Sequence, residues 1–317
     1  MKVKLDFEAP IDEMEKMLNK LKELQQDNGG ALSEQINELE EKLSSRREEI
    51  YSNLTPWQTV QIARHPQRPI LRDYIQMIFP DFIELHGDRR FSDDRAMIGG
   101  FAKLGKRGVM IIGHDKGKSL EEKQTCNFGM AKPDGYRKAL RLMKLAEKYN
   151  VPVITFIDTQ GAYPGQDAEE RGQAEAIARN LTEMARLTVP VISVVTGEGG
   201  SGGAIGIGAG DVILMLSHSI YSVISPEGCA AILWRDAAHS PDAADALKLT
   251  APSLKELGVV DEIIEEPVGG AHNDPEAVAV RIKRVLQKHL KRLKKYSTSK
   301  LINKRFEKYS KIGKFNK

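Results

Sequence analysis

Five glycines fall within seven residues in the run Gly197-Glu198-Gly199-Gly200-Ser201-Gly202-Gly203. Before it, Val189-Pro190-Val191-Ile192-Ser193-Val194-Val195 reads as a strand. After it, the small residues Ala204-Ile205-Gly206-Ile207-Gly208-Ala209-Gly210 read as a helix. Glycines at such a junction leave main-chain N–H groups uncovered at the mouth of the helix. Donors fixed there stabilise an oxygen on which negative charge develops, with no reorganisation during the reaction.

Two more loops follow strand-like segments. One runs from Gly113-His114-Asp115-Lys116-Gly117 to Asn127-Phe128-Gly129-Met130, and the other is Asp158-Thr159-Gln160-Gly161-Ala162-Tyr163-Pro164-Gly165. Loops leaving the C-terminal ends of strands converge on ligands in α/β sheets, so all three are expected to line one cleft. Tyr163 and Pro164, set between Gly161 and Gly165, read as a rigid loop that presents a ring to it.

Competing motifs fare less well. Gly197, Gly199 and Gly202 fit GxGxxG, but no acidic residue ends the next strand where a dinucleotide ribose would need one. There is no GxxxxGK[ST]. The sharper alternative is a serine hydrolase. Gly199-Gly200-Ser201-Gly202-Gly203 satisfies GxSxG, with Ser201 as nucleophile and Asp236 and His239 or His272 as its partners. The extra glycines and Glu198 point instead to a wide anion pocket. His86 and His114 lack HxH or HxxxH spacing, so no metal site is expected in this chain.

The elements that must hold these loops can be read from periodicity. Ile11, Met14, Leu18, Leu21 and Leu24, then Leu32, Ile36, Leu39 and Leu43, form two amphipathic stripes broken at Asp27-Asn28-Gly29-Gly30, a helical hairpin. From about Arg72, strand-like and helix-like segments alternate: Ala96–Leu104, Gly108–Gly113, a helix from Pro133 to Tyr149, Val151–Ile157, a helix over Gly172–Leu187, then Val189–Val195. That order implies an α/β domain with helices covering its sheets. Three parts are expected: a hairpin at 1–54, a main domain at 55–295 and a basic tail at 296–317.

With 317 residues, 41% of them hydrophobic, the chain can bury a sizeable core. No apolar run is long enough to span a bilayer, and the N-terminus has no charged-then-apolar signal. Two cysteines 103 positions apart, Cys126 and Cys229, cannot make a zinc ribbon, so a cytoplasmic enzyme with inert thiols is expected. The net charge of +3 hides an asymmetry. Arg281–Lys317 carries fifteen Lys or Arg against one acidic residue, Glu307, and the remainder is acidic. A stretch of that kind can attract nucleic acid or another polyanion; the plainer reading is a solvated helical end with a frayed terminus.

Taken together, the motifs resemble a known family. Pro133-Asp134-Gly135-Tyr136-Arg137-Lys138-Ala139-Leu140-Arg141, Phe156-Ile157-Asp158-Thr159-Gln160-Gly161-Ala162-Tyr163-Pro164-Gly165, Ala168-Glu169-Glu170-Arg171-Gly172-Gln173, the glycine run and Tyr221-Ser222-Val223-Ile224-Ser225-Pro226-Glu227-Gly228 look like the carboxyltransferase alpha subunits of multisubunit acetyl-CoA carboxylase. The likeness runs from about residue 10 to 290. Cys126, Ala131 and Gln160 stand where that family commonly has arginine, proline and lysine.

The resemblance implies a crotonase-like fold of ββα units and an A2B2 assembly with a zinc-ribbon beta subunit. It also implies work alongside biotin carboxylase and the biotin carboxyl carrier protein. The reaction would move a carboxyl group from carboxybiotin on that carrier to acetyl-CoA, giving malonyl-CoA for fatty-acid synthesis. Gly202, Gly203 and Ala204 would supply N–H groups to the ureido oxygen of biotin. Phe128, Gly129, Gly161, Tyr163, Pro164, Gly165, Gly199 and Gly200 would line the substrate cleft.

Overall fold

The structure is a computed structural model that describes residues 3–27 and 32–313. Two antiparallel helices, α1 (Ala9–Asp27) and α2 (Ser33–Ser52), form the expected hairpin; its glycine break at 28–30 lies outside the described residues. Ile11, Leu18, Ile36 and Leu43 are buried between them, and Tyr51 and Ile62 join this cluster to the body.

The body opens with α3 (Pro56–Ala63) and α4 (Leu71–Ile78). Helix α3 starts on a capping box: Thr55 Oγ1 accepts from the Gln58 N–H, the Gln58 side chain accepts from the Thr55 N–H, and Pro56 fills the first helical position. There follow β1 (Ile83–Glu84), β2 (Met97–Leu104), β3 (Arg107–His114), α5 (Leu120–Thr125), α6 (Pro133–Lys148), β4 (Val153–Thr159), α7 (Gln166–Glu170), α8 (Gln173–Arg186), β5 (Val191–Gly200) and α9 (Ser201–Ile205). The chain continues through β6 (Val212–Leu216), β7 (Ile220–Ser222), α10 (Pro226–Leu233), α11 (Ser240–Ala246), α12 (Ala251–Glu256), β8 (Glu262–Ile264), α13 (Pro275–Leu293) and α14 (Thr298–Ser310).

One eight-stranded sheet runs β1-β2-β3-β4-β5-β6-β8, antiparallel to β3 and parallel from there on, with β7 paired to the far end of β5. Side chains alternate across it, and both faces are buried, as a mostly parallel sheet requires. Val109, Ile111, Ile154, Phe156, Ile192, Val194, Val212 and Leu214 pack under α4 and α13. Met110, Ile112, Val153, Ile157, Val191, Val195, Ile213 and Met215 pack under α6 and α8. The sequence signal here was strong because the central strands are mostly apolar on both faces.

Two expectations change. The strand expected to stop at Val195 continues to Gly200, so the first half of the glycine run is strand and not loop. Gly199 pairs with Thr159 of β4 on one side and Tyr221 of β7 on the other, and its missing side chain makes room for the Tyr221 ring. The basic C-terminal stretch, read as a solvated and frayed end, docks instead. Arg305 is buried; its guanidinium grips Asp211 at 2.8 and 2.9 Å and caps the carbonyls of Met184, Leu187 and Val189 at the end of α8. Leu301 is buried beside α13.

A second arginine fixes the other end of the sheet. Arg68, 5% exposed, makes a two-pronged pair with Glu266 at 2.6 and 2.8 Å, and its Nε donates to the Thr196 carbonyl at 2.7 Å. Glu266 also accepts from the N–H groups of His218 and Ala271. Burial alone would raise the Glu266 carboxyl, but the Arg68 charge and the hydrogen bonds to the carboxylate more than reverse this and hold it well below the usual range. A group so depressed stabilises the fold fully above its unfolded value, about 4.3, and loses that contribution as pH falls. Glu266→Gln is therefore expected to destabilise the fold by about 3–5 kcal/mol at neutral pH, because Arg68 is left unpaired. Urea unfolding followed against pH should show the gap to wild type narrowing below about pH 4. A constant gap would contradict the assignment.

Candidate active site

The three loops do meet, at the C-terminal ends of β3, β4 and β5. Contact between the second and third is main chain on main chain. A Cβ at Gly200 would collide with the Gln160 carbonyl, and one at Gly203 with the Gly161 carbonyl carbon, 2.6 Å from the Ala162 nitrogen. Glycine is obligatory at both positions because the two backbones touch. Gly202 differs: a Cβ there would meet only Ile177 Cδ1, at 3.6 Å. At Gly161 nothing lies within 4 Å, so the space beside it is open.

At the end of β5 the chain turns on Ser201, which sits at φ +50°, and enters α9. Helix geometry leaves the N–H groups of Gly202 and Gly203 with no acceptor inside the helix. Ala204 is the fourth helical residue, the first whose N–H can close on the N-cap carbonyl of Gly200. Its buried methyl group packs in the core behind the turn. The N–H groups of Gly202 and Gly203 are thus left open within the helix.

The first loop reaches the same place through an unusual backbone. Asn127, Phe128 and Gly129 occupy the left-handed region in succession, at φ +44°, +55° and +83°. Two non-glycine residues there cost of order 1–3 kcal/mol each. Gly129 packs on the Asp158 carbonyl and the Lys116 stem, and this leaves the Phe128 ring 42% exposed. In the second loop the Tyr163 ring lies over Gly165, where a Cβ would collide with it, and Lys132 Nζ stands 4.7 Å from the ring centroid. Gln173 holds the loop by donating to the carbonyls of Ala131 and Tyr163. Pro164 is exposed beside it.

Of the charged groups behind the turn, the sequence drew attention only to Glu198. Arg64 donates from Nε and Nη2 to Glu198 and from Nη1 to Glu227 at 2.6 Å. Asp158 accepts from Lys116 Nζ at 2.6 Å and from the Glu198 N–H at 2.9 Å. Arg72 pairs with buried Asp115 at 2.6 Å. The signal was available: a carboxylate amid glycines (Glu198), and another near the end of a mostly apolar strand (Asp158), each need a cation. His114 is fully buried beneath the loops, and burial holds its imidazole down at about 4, so it is neutral. Burial first, and then the Asp115 charge, push the Cys126 thiol up to about 12, which keeps it an unreactive thiol.

Ser201 has the left-handed backbone of a nucleophile elbow, yet its partners are elsewhere. His239 pairs with Asp242 at 2.7 Å, Asp236 caps the Ala238 N–H, and His272 stacks on His65. Among the described residues no histidine bonds to Ser201. A cavity of about 520 Å³ also lies away from the turn, between the hairpin and the body, lined by Glu8, Glu15, Arg47 and Tyr51. Among the described residues no group of three His, Cys, Asp or Glu could hold a metal, and no helix is long and apolar enough to cross a membrane.

Comparison with known proteins fits this geometry. The family model described as acetyl co-enzyme A carboxylase carboxyltransferase-like matches residues 4–313. The acetyl-coenzyme A carboxylase carboxyl transferase subunit alpha of Geobacter metallireducens is 57% identical over 311 residues, covering 98% of both chains. The chain belongs to this carboxyltransferase alpha family. It is a biotin-dependent carboxyltransferase chain, and nothing in its relatives supports the serine hydrolase. Among solved structures, a chain of a Pseudomonas malonate decarboxylase hetero-tetramer matches with a TM-score of 0.59 at 15% identity, over 74% of this chain and 91% of that one. Transcarboxylase 12S matches with a TM-score of 0.56 at 19% identity, over 79% of this chain and 43% of that one. At these identities the likeness concerns the fold, which is crotonase-like as expected.

The glycine contacts give a paired prediction for carboxyl transfer. Gly203→Ala, which must push the two loops apart, is expected to lower kcat by about 100-fold or more. Gly202→Ala, which meets only a flexible isoleucine tip, should leave most of the activity. Equal effects at the two positions would contradict the site.

Proposed function

We propose that the turn at Gly202 and Gly203 binds the ureido oxygen of carboxybiotin, and that a beta subunit completes the acetyl-CoA side of the same site. The observation that supports this reading most is the backbone contact of Gly200 and Gly203 with residues 160–162 beside an open space at Gly161. Uncommitted N–H groups are held there rigidly, next to room for a planar ring. Carboxybiotin, a substrate delivered on its carrier protein, gathers negative charge on the ureido oxygen as its carboxyl group leaves. The two N–H groups answer that charge, and each such donor is worth about 2.7–4 kcal/mol in the transition state. Gly199 and Gly200 keep the approach free of side chains, while Phe128, Gly129, Tyr163, Pro164 and Gly165 bound the cleft. The chain needs no side-chain nucleophile.

The product is malonyl-CoA for fatty-acid synthesis, made together with biotin carboxylase and the biotin carboxyl carrier protein in the cytoplasm. The exposed apolar residues Val223, Ile232, Leu233 and Trp234, all on or next to α10, are the face we assign to the zinc-ribbon beta subunit of an A2B2 assembly. Patches of this kind mark interaction sites. The parts remain 1–54, 55–295 and 296–317 in this proposal, the last being a basic extension fastened by Arg305 rather than a nucleic-acid-binding arm.

The test is malonyl-CoA-dependent carboxylation of free biotin. Activity is expected only when the beta subunit is added. Ser201→Gly, which suits the left-handed φ, should retain that activity, whereas Leu233→Asp should prevent assembly on a sizing column. A well-formed complex without carboxyl transfer, with Ser201 labelled by a phosphonate, would overturn the proposal.

A further inference from the structure

We infer that Asp158 is a positioning residue of the reaction. It sets the aim of the glycine turn through a break in the pairing of β4 with β5. The inference rests on the oxyanion-binding reading of Gly202 and Gly203 and adds what holds those groups in place.

Between the pairs Ile157↔Val195 and Thr159↔Gly199, β4 advances two residues while β5 advances four. Two extra residues are therefore accommodated in β5 over Thr196-Gly197-Glu198, opposite Asp158. Bulges of this sort bend a strand and re-aim the residues beyond them. At the same place β5 leaves β6, its partner up to Val195, and takes up β7 from Glu198. The glycine turn begins immediately beyond.

Each residue of the bulge is fixed by a charged group from outside the strand. Arg68 takes the Thr196 carbonyl at 2.7 Å. The Asp158 carboxylate lies against Gly197, where a Cβ would come 2.7 Å from its Cγ. The same carboxylate accepts the Glu198 N–H at 2.9 Å, while Arg64 holds the Glu198 side chain. Asp158 is the central piece because it also receives Lys116, which packs on Gly129 of the left-handed turn. One carboxylate thereby ties the first loop, the second and the third together. Its side chain is 8% exposed, so the pair with Lys116 is largely shielded from water. An acceptor at this position sets where β5 straightens again, and hence where the Gly202 and Gly203 N–H groups point.

The experiment uses the assembled complex with the beta subunit, free biotin and malonyl-CoA. Asp158→Ala is expected to lower kcat about 100-fold, the scale of a misplacement near 1 Å, with KM for malonyl-CoA unchanged. Asp158→Asn keeps an oxygen for the Glu198 N–H and should recover most of that loss. Lys116→Met should also lower kcat, because it strands a shielded carboxylate. Adding Asp158→Asn to Lys116→Met should restore kcat to the level of Asp158→Asn alone.

Wild-type kcat in Asp158→Ala, or a change confined to melting temperature, would overturn the inference. So would a Lys116→Met loss that Asp158→Asn fails to relieve, since Lys116 would then be touching substrate. Gly203→Ala run in parallel separates the two levels. If it is fully active, the oxyanion reading fails. If it is inactive while the Asp158 series is not, only the positioning role fails.

Discussion

The architecture of the site depends on two backbones in direct contact. Residues 160–162, after β4, and residues 200–203, after β5, approach so closely that Gly200 and Gly203 can carry no side chain. A contact of this kind has no rotamers and little slack, so donors placed by it do not have to reorganise when charge appears. Side-chain crowding also explains why the run has five glycines rather than the two proposed to donate. Gly199 makes room for Tyr221 and Gly197 for Asp158, while Gly202 alone has space to spare.

Holding two main chains against each other requires clamps behind them, and these are ionic. Arg64 and Arg68 leave one short connection between α3 and α4 and grip β5 at Glu198 and Thr196. Arg68 is buried with a bidentate partner and Arg64 binds the buried Glu198 carboxylate, so neither of these pairs resembles a solvated surface pair of small worth; the Arg64–Glu227 pair is more exposed. Arg305 does the equivalent for α8 and the start of β6 from the opposite end of the chain. Two arginines from one connection and a third from the far end of the chain thus fasten the sheet whose strand ends carry the candidate site.

The α/β alternation was legible because the central strands are apolar on both faces and the helices are apolar on one. The convergence of the three loops followed from that order. The end of β5 was not legible, because Glu198-Gly199-Gly200 has poor strand propensity and is extended only through pairing with β4 and β7. The docked C-terminus was hidden for a similar reason. Arg305 stands in a basic run that reads as a solvated face, and only Asp211, 94 residues away, reveals its role. Ser201 shows the converse. Its motif and its left-handed backbone both suit a nucleophile, and the absence of a histidine partner among the described residues, together with the family match, removes that reading.

Under the proposed mechanism, main-chain N–H groups, and not a side chain, meet the charge that develops on the substrate. The most direct measurement is kcat for carboxyl transfer after an amide-to-ester exchange at residue 203, which replaces one N–H by oxygen and adds no side chain. A loss of about 100- to 1,000-fold is expected in an otherwise intact complex. An ester-containing protein that assembles normally and turns over at the wild-type rate would contradict the mechanism.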